Sequence, residues 1–298
     1  MSELVPRFLE FAAAIDRSPH TIQTTRIDLA LLIRHLGDRP ATDVGLDDLR
    51  RFASWLRQER KNDARSLRRK VASVKAFFAY VRHLGIRDDD PAEHLIYPST
   101  QPHLPEFLES EEAAKLIAAT ERPLWRVVIL TLLDTGLKRD ELLALHPADV
   151  YLDPSSTEQG YLVVRAANQA RRIRARTLAL TPRLVDELRR HLETGTGDRL
   201  LPISARAVNA IVETSGQRAG LRKRGPISPQ MLRDTFAVQQ VRLRLTEEQG
   251  ARKVDASEQA IASRRARQDL EVCDLLGLTP GGANDPIARY RLLATAGG

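Results

Sequence analysis

The sequence has little of what several kinds of chemistry and architecture require. Cys273 is its single cysteine, which excludes an intramolecular disulfide and makes a reducing cytoplasm the simplest setting. Its seven histidines show no metal-ligand spacing, so no metal centre is expected. Aromatic residues are sparse at 5%. Trp55, Phe77 and Phe78 recur with aliphatic neighbours at helical spacing, which reads as core packing rather than as a platform for bases. Long apolar runs are missing too: LWRVVILTLLDTG is interrupted by Arg126 and Asp134, and MSELVPRFLEF carries charge inside its apolar stretch. Neither a membrane span nor a signal peptide is expected. No internal repeat or low-complexity tract is visible.

What the sequence does contain is basic charge. Lys and Arg number 46 against 39 Asp and Glu, a net charge of +7, which suits a polyanionic partner. The distribution says more than the sum. Arg60 to Lys75 holds seven basic residues and one acid, Asp63, and Arg165 to Arg176 holds five arginines and no acid. Two separated runs fit a protein that grips duplex DNA from two sides, with Arg68, Arg69 and Lys75 in the first run and Arg165, Arg171, Arg172, Arg174 and Arg176 in the second as phosphate contacts.

At 298 residues, two cores are expected rather than one. Ser18-Pro19 is a helix start, a capping hydroxyl before proline at the first helical position, and Gly37 ends that helix. Leu49, Phe52, Trp55 and Leu56 repeat at helical spacing, as do Leu67, Val71, Val74, Phe78 and Val81. Residues 1–98 therefore read as a helical domain. YPSTQPHLP has three prolines and no periodicity, and 99–105 is taken as the linker. In 106–298, residues 110–119, 124–133 and 140–145 read as helices, GYLVV and RIRARTLAL as strands around a basic turn, and the chain as helical again from Pro182. Glu247 to Asp269 is a highly charged helical insert.

Three local patterns, in order, carry a resemblance. They are DDDPAEHLIYP followed by LPEFLESEEAAKLI; TGLKRDELLAL at 135–145; and SPQMLRDTFA followed by DLLGL and Tyr290. Together they resemble the tyrosine recombinases, the phage-integrase-like family, over nearly the whole chain. The resemblance implies a mainly α protein, with a helical SAM-like core-binding domain and an α+β catalytic domain carrying a small antiparallel sheet. It also implies duplex DNA as partner, homo- or hetero-oligomers on that DNA, and no small-molecule substrate. The chemistry it implies is attack of a tyrosine on a phosphodiester, giving a phosphotyrosyl link that conserves bond energy, so no nucleotide or metal cofactor is called for.

Carried over residue by residue, the set is incomplete. Tyr290 matches the nucleophile and Arg233 the arginine of the His-x-x-Arg box. Lys138 stands where an arginine is expected and keeps charge without the bidentate fork. Gln230 replaces a histidine and can donate but not titrate. Leu278 replaces another and donates nothing. Asp234 adds negative charge beside Arg233, and the turn expected to hold a lysine has Arg171 or Arg172 instead. Three readings stay open: a DNA-clamping family member with impaired catalysis at Tyr290, a fully active site-specific recombinase or integrase, and an unrelated helical DNA-binding regulator.

The basic runs generate a direct prediction. Duplex binding should weaken steeply between low and physiological salt, and neutralising Arg171, Arg172 and Arg174 together should lower affinity and flatten the slope of log affinity against log salt. An unchanged slope in a filter-binding titration would remove that turn from the DNA interface.

Overall fold

A computed structural model describes residues 1–99, 104–153, 155, 159–165, 175–195, 197–223, 225–252, 258–279 and 285–295. The chain divides into two compact units, Met1–His103 and Leu104–Gly298, each with a hydrophobic core of its own. The fold is mainly helical with one small antiparallel sheet.

Among the described residues, the first unit has four α-helices: α1 (Leu4–Ala14), α2 (Pro19–Leu36), α3 (Leu46–Gln58) and α4 (Ala64–His83). Local chemistry sets their ends. The Ser18 hydroxyl accepts the Thr21 amide at 3.1 Å ahead of Pro19, and Gly37 closes α2 with φ +78°, a conformation that costs glycine little. Asp63, the one acid of the basic run, is the N-cap of α4 and accepts the Ser66 amide at 2.8 Å. α4 carries the apolar stripe Leu67, Val71, Val74, Phe78 and Val81, with Phe77 and Phe78 fully buried. Phe8 of α1 meets Phe77 edge-on at 5.8 Å. Trp55 packs against this core and against His35 at 4.6 Å, as expected of a core ring.

The second unit is organised around α6 (Pro123–Thr135), buried continuously from Val127 to Thr135. A helix apolar on every side must be enclosed on every side, and α6 packs between α8 (Pro182–Glu193) and α10 (Pro229–Arg252). Around it lie α5 (Ser110–Ala118), α7 (Arg139–Ala144), α9 (Ala205–Arg218), α11 (Glu258–Leu276) and α12 (Pro286–Thr295). The sheet has three strands, β1 (Val150–Leu152), β2 (Gly160–Val164) and β3 (Arg176–Ala179), in that spatial order. Leu162 pairs with Val150 on one side and Leu178 on the other, and Leu162, Val164 and Leu178 enter the core. β1 was absent from the sequence expectation because three residues are too few to show a period. The insert expected over 247–269 is divided between the end of α10 and the start of α11, with 253–257 outside the described residues. Among the described residues, no helix is long and apolar enough to cross a membrane.

Cys273 is buried on α11, where burial and the neighbouring carboxylates push its thiol up to about 11. A thiol so protected is inert as a nucleophile.

Because the two cores share no buried residue, cleaving the chain within 99–105 should yield two fragments that each unfold cooperatively on heating. Loss of cooperative melting in both fragments, followed by circular dichroism, would show that neither core stands alone.

Candidate active site

The site is assembled around Arg233, in the second turn of α10, with only 3% of its surface exposed. Its Nη1 donates to the carbonyl of Gly136 and its Nη2 to the carbonyl of Leu276 at 2.5 Å. A Glu141 oxygen lies 3.9 Å from Nη1. Burial pulls the guanidinium's pKa down, while Glu141 and then Tyr290 hold it up; the group stays a cation at any pH the fold meets. One side chain thus ties together the turn after α6, the end of α11 and its own helix.

Glycines make those approaches possible. Gly136 ends α6 with φ +62°, and a Cβ there would come within 2.3 Å of the Phe236 ring. Gly277, with φ +59°, lies so near Arg176 that a Cβ would meet its Nη1 at 2.7 Å. Both positions need the left-handed backbone and the missing side chain at once.

A second layer of charge supports the first. Glu141 accepts two bonds from Arg176, at 3.0 and 2.8 Å, and Arg176 Nε donates to the Leu275 carbonyl at 2.9 Å. The same carboxylate accepts the Lys138 amide at 2.8 Å and so starts α7. Desolvation pushes the Glu141 carboxyl up, but the bonds and charge of Arg176 outweigh it and leave it below the usual carboxylate range.

Tyr290, on α12, is 6% exposed, and its ring lies in an apolar cluster with Phe236, Val272, Leu276 and Ile287. Its hydroxyl donates to Asp234 Oδ1 at 2.7 Å, and Gln230 Nε2 donates to the same oxygen at 2.9 Å. Burial first, and then the Asp234 charge and bond, push the phenol well above its ordinary value, while Arg233 pulls the other way. Burial likewise raises the Asp234 carboxyl, against the pull of the Tyr290 and Gln230 bonds. Tyr290 is therefore a neutral phenol here, held on Asp234 rather than displayed to solvent.

Residues 6–85 match the family described as phage integrase, N-terminal SAM-like domain. Tyrosine recombinase XerA of Thermococcus kodakarensis is 29% identical over 249 residues, covering 79% of this chain and 80% of that protein. Tyrosine recombinase XerC of Chromobacterium violaceum is 30% identical over 159 residues, 50% of this chain and about half, 52%, of that protein. The chain is similar in sequence to tyrosine recombinases over most of its length. Its fold is also that of lambda integrase: a dimer bound to a COC′ core site superposes with a TM-score of 0.70 over 98% of this chain and 77% of that one, at 16% identity. A lambda integrase tetramer bound to a Holliday junction gives 0.71 over 97% and 76%, at 17% identity.

Within this fold the residues singled out from sequence take different positions. Tyr290 and Gln230 meet on the carboxylate of Asp234, the chain neighbour of Arg233, while the Lys138 amide bonds Glu141, an oxygen of which lies 3.9 Å from Arg233. Leu278 packs against the Tyr290 cluster. Arg176 departs from the expected phosphate contact: its side chain is 7% exposed and fully engaged with Glu141 and Leu275. Arg69 pairs with the fully buried Asp28, which also accepts the Ser73 hydroxyl at 2.8 Å, so it neutralises a buried charge. Lys75 donates to the carbonyls of Glu93 and Leu95, at 2.8 and 3.0 Å. Arg68 lies 4.8 Å from the Tyr97 ring centroid. Arg165 is 65% exposed and pairs with Asp149 at 2.5 Å. Arg171, Arg172 and Arg174 lie outside the described residues.

Sequence reasoning missed Glu141 and the carboxylate of Asp234 as a partner of Tyr290. Glu141 was legible as the acid three residues after Lys138, the spacing of a helix-start box. The Asp234–Tyr290 contact spans 56 residues, and no local signal announces it.

Glu141→Ala should destabilise the chain by about 3–5 kcal/mol, because it leaves two buried guanidinium groups without their carboxylate. The depressed pKa also fixes a direction in pH. The contribution of Glu141 is complete above the unfolded carboxyl value and fades as pH falls through the lower folded one, so the wild-type advantage over Glu141→Gln should shrink under acid. Urea titrations at neutral and acid pH measure both, and a mutant as stable as wild type at neutral pH would refute the buried cluster.

Proposed function

We propose that this chain acts in site-specific recombination of duplex DNA through a phosphotyrosyl intermediate at Tyr290, with chemistry slowed by substitutions around the phosphate site. The observation that carries this reading is the convergence of three distant sequence motifs, at Gly136, Arg233 and Leu276, on one guanidinium, with Tyr290 held on the carboxylate of the next residue. In the reaction, Tyr290 Oη would bond to phosphorus, the bond to the 5′ oxygen would break, and the departing oxygen would take a proton as the phenol loses one. Arg233 would hold non-bridging oxygens, with Lys138 adding charge and Gln230 a neutral donor. Arg68 and Arg165, both exposed, with Arg171, Arg172 and Arg174, would track the backbone. By its likeness to lambda integrase, which forms a dimer on a core site and a tetramer on a Holliday junction, the chain would work as several copies on DNA.

Weak catalysis follows from the same inventory. Removing one donor aimed at a transition-state oxyanion costs about a hundredfold or more, and here an arginine fork and two imidazoles are replaced by Lys138, Gln230 and Leu278. Affinity for DNA does not share that loss, since it is carried by many phosphate contacts.

On nicked suicide duplexes selected for tight binding, the parent should form a scarce covalent adduct, and Tyr290→Phe should abolish it with little change in affinity. The triple change Lys138→Arg, Gln230→His and Leu278→His should raise adduct yield, while single reversions should show little because such groups act as a unit. Abundant adduct and strand exchange by the parent would replace this reading with that of a fully active recombinase.

A further inference from the structure

We propose that the solvent face of the three-stranded sheet is a stacking platform for unpaired bases, which takes a single-stranded segment of DNA. The inference goes beyond the function proposed above and draws on it only for the source of such a strand, the end freed when the bond to the 5′ oxygen breaks. Its ground is the pair Tyr151 and Tyr161. These side chains stand opposite each other on β1 and β2, with ring centroids 4.7 Å apart, planes inclined by 12°, and 46% and 44% of their surface exposed. Adjacent strands of a sheet lie about 4.7–4.9 Å apart, so the rings stand upright, side by side, in the direction that runs from strand to strand. Each gives one face to the other and keeps one for solvent.

The register shows what lies beside the free face of Tyr161. Its partner on β3 is Ala179, an exposed residue whose methyl group takes the place where a third ring of the row would stand. A base entering there would meet Tyr161 at the separation the two tyrosines already adopt, with Val163 and Thr177, the next pair along the two strands, beside it. Charge on this face has the sign a nucleic acid needs. The strands contain no acidic residue, and Arg165, which continues the alternation of Tyr161 and Val163, is 65% exposed. The acids at the margins are engaged, Asp149 by Arg165 at 2.5 Å and Asp153 by Ser155 at 2.8 and 2.6 Å. Bases in a duplex are already stacked on one another, so only an unpaired strand can offer one to these rings, and such stacking is indifferent to base identity. A cross-strand aromatic pair also steadies a small sheet. That role is met by the two faces turned toward each other and calls for nothing above Ala179.

The test reads the fluorescence anisotropy of end-labelled probes with the full chain: an oligothymidylate, an abasic strand of the same length and charge, and a duplex. Wild type should bind the oligothymidylate at least about fivefold more tightly than the abasic strand, the low end of the worth of one stacked base. Tyr161→Ala should remove that preference and Tyr161→Phe should keep it, since the ring rather than the hydroxyl does the stacking. Ala179→Phe is the deciding variant. It puts a ring in the third place, which suits a strand and extends the row. A tyrosine pair of purely structural value would leave binding as it was, whereas the platform should lose its preference for bases. Duplex affinity should stay the same throughout. Equal binding of oligothymidylate and abasic strand by wild type, or an Ala179→Phe protein that still prefers bases, overturns the platform. A Tyr161→Ala protein that loses duplex affinity as well has lost its fold, and Ala179→Phe then carries the test. Preference for bases in a protein that forms no adduct on nicked duplexes upholds the platform and removes the proposed chemistry; adduct without that preference does the reverse.

Discussion

The buried guanidinium of Arg233 is the constraint on which the second unit depends. Its carbonyl partners, Gly136 and Leu276, are 97 and 43 residues away, so the bonds exist only once α6, α10 and α11 have met. A charge this deep is tolerated because two carbonyls and the Glu141 carboxylate face it, and Arg176, although a like charge, holds that carboxylate in place. Arg176 and Glu141 are thus not spare charges but what allows Arg233 to be buried. Gly136 and Gly277 keep the approach distances short enough for the arrangement to close.

This hierarchy explains what could be read in the sequence. Elements with local causes were legible: the Ser18 cap, the stripe of α4, the stop at Gly37 and the strands GYLVV and RTLA all follow from neighbours a few residues apart. The motif residues were legible because their types are rare in combination. Their partners were not. Arg69 and Lys75 lie in a basic run that reads as a DNA-facing surface, and yet Arg69 neutralises Asp28, while Lys75 grips the carbonyls of residues 93 and 95. Periodicity reports which side of a helix is apolar and says nothing about which cation is answered by an acid 41 positions away. Arg176 is the sharpest case, since the alternation that placed it on a strand gave no hint that its side chain runs back to Glu141.

The two units answer the same problem of buried charge in different ways. In the first, Asp28 is fully buried and met from outside by Arg69, whose side chain is 44% exposed. Solvent therefore shares in stabilising the pair. In the second, Arg176 and Glu141 are each 7% exposed, and protein groups alone supply the compensation. The first keeps its cation in contact with water. The second does not, and it is the one next to the tyrosine. A preorganised phosphate site needs this property, since donors that do not relax in the ground state need not be reorganised in the transition state.

The fold alone explains some of these residues and not others. Arg233 is explained: remove it, and two buried carbonyls and a carboxylate lose their partner, so any protein with this core would keep it whether or not it touched DNA. Lys138 is explained in part, because its amide opens α7. Tyr290 is different. Its ring fills space that phenylalanine would fill equally, and its hydroxyl brings a desolvated carboxylate into the core, which a purely structural site gains by omitting. The oxygen of Tyr290, with Asp234 to hold it, is the part of the site that packing does not require, and it is there that a function must be sought.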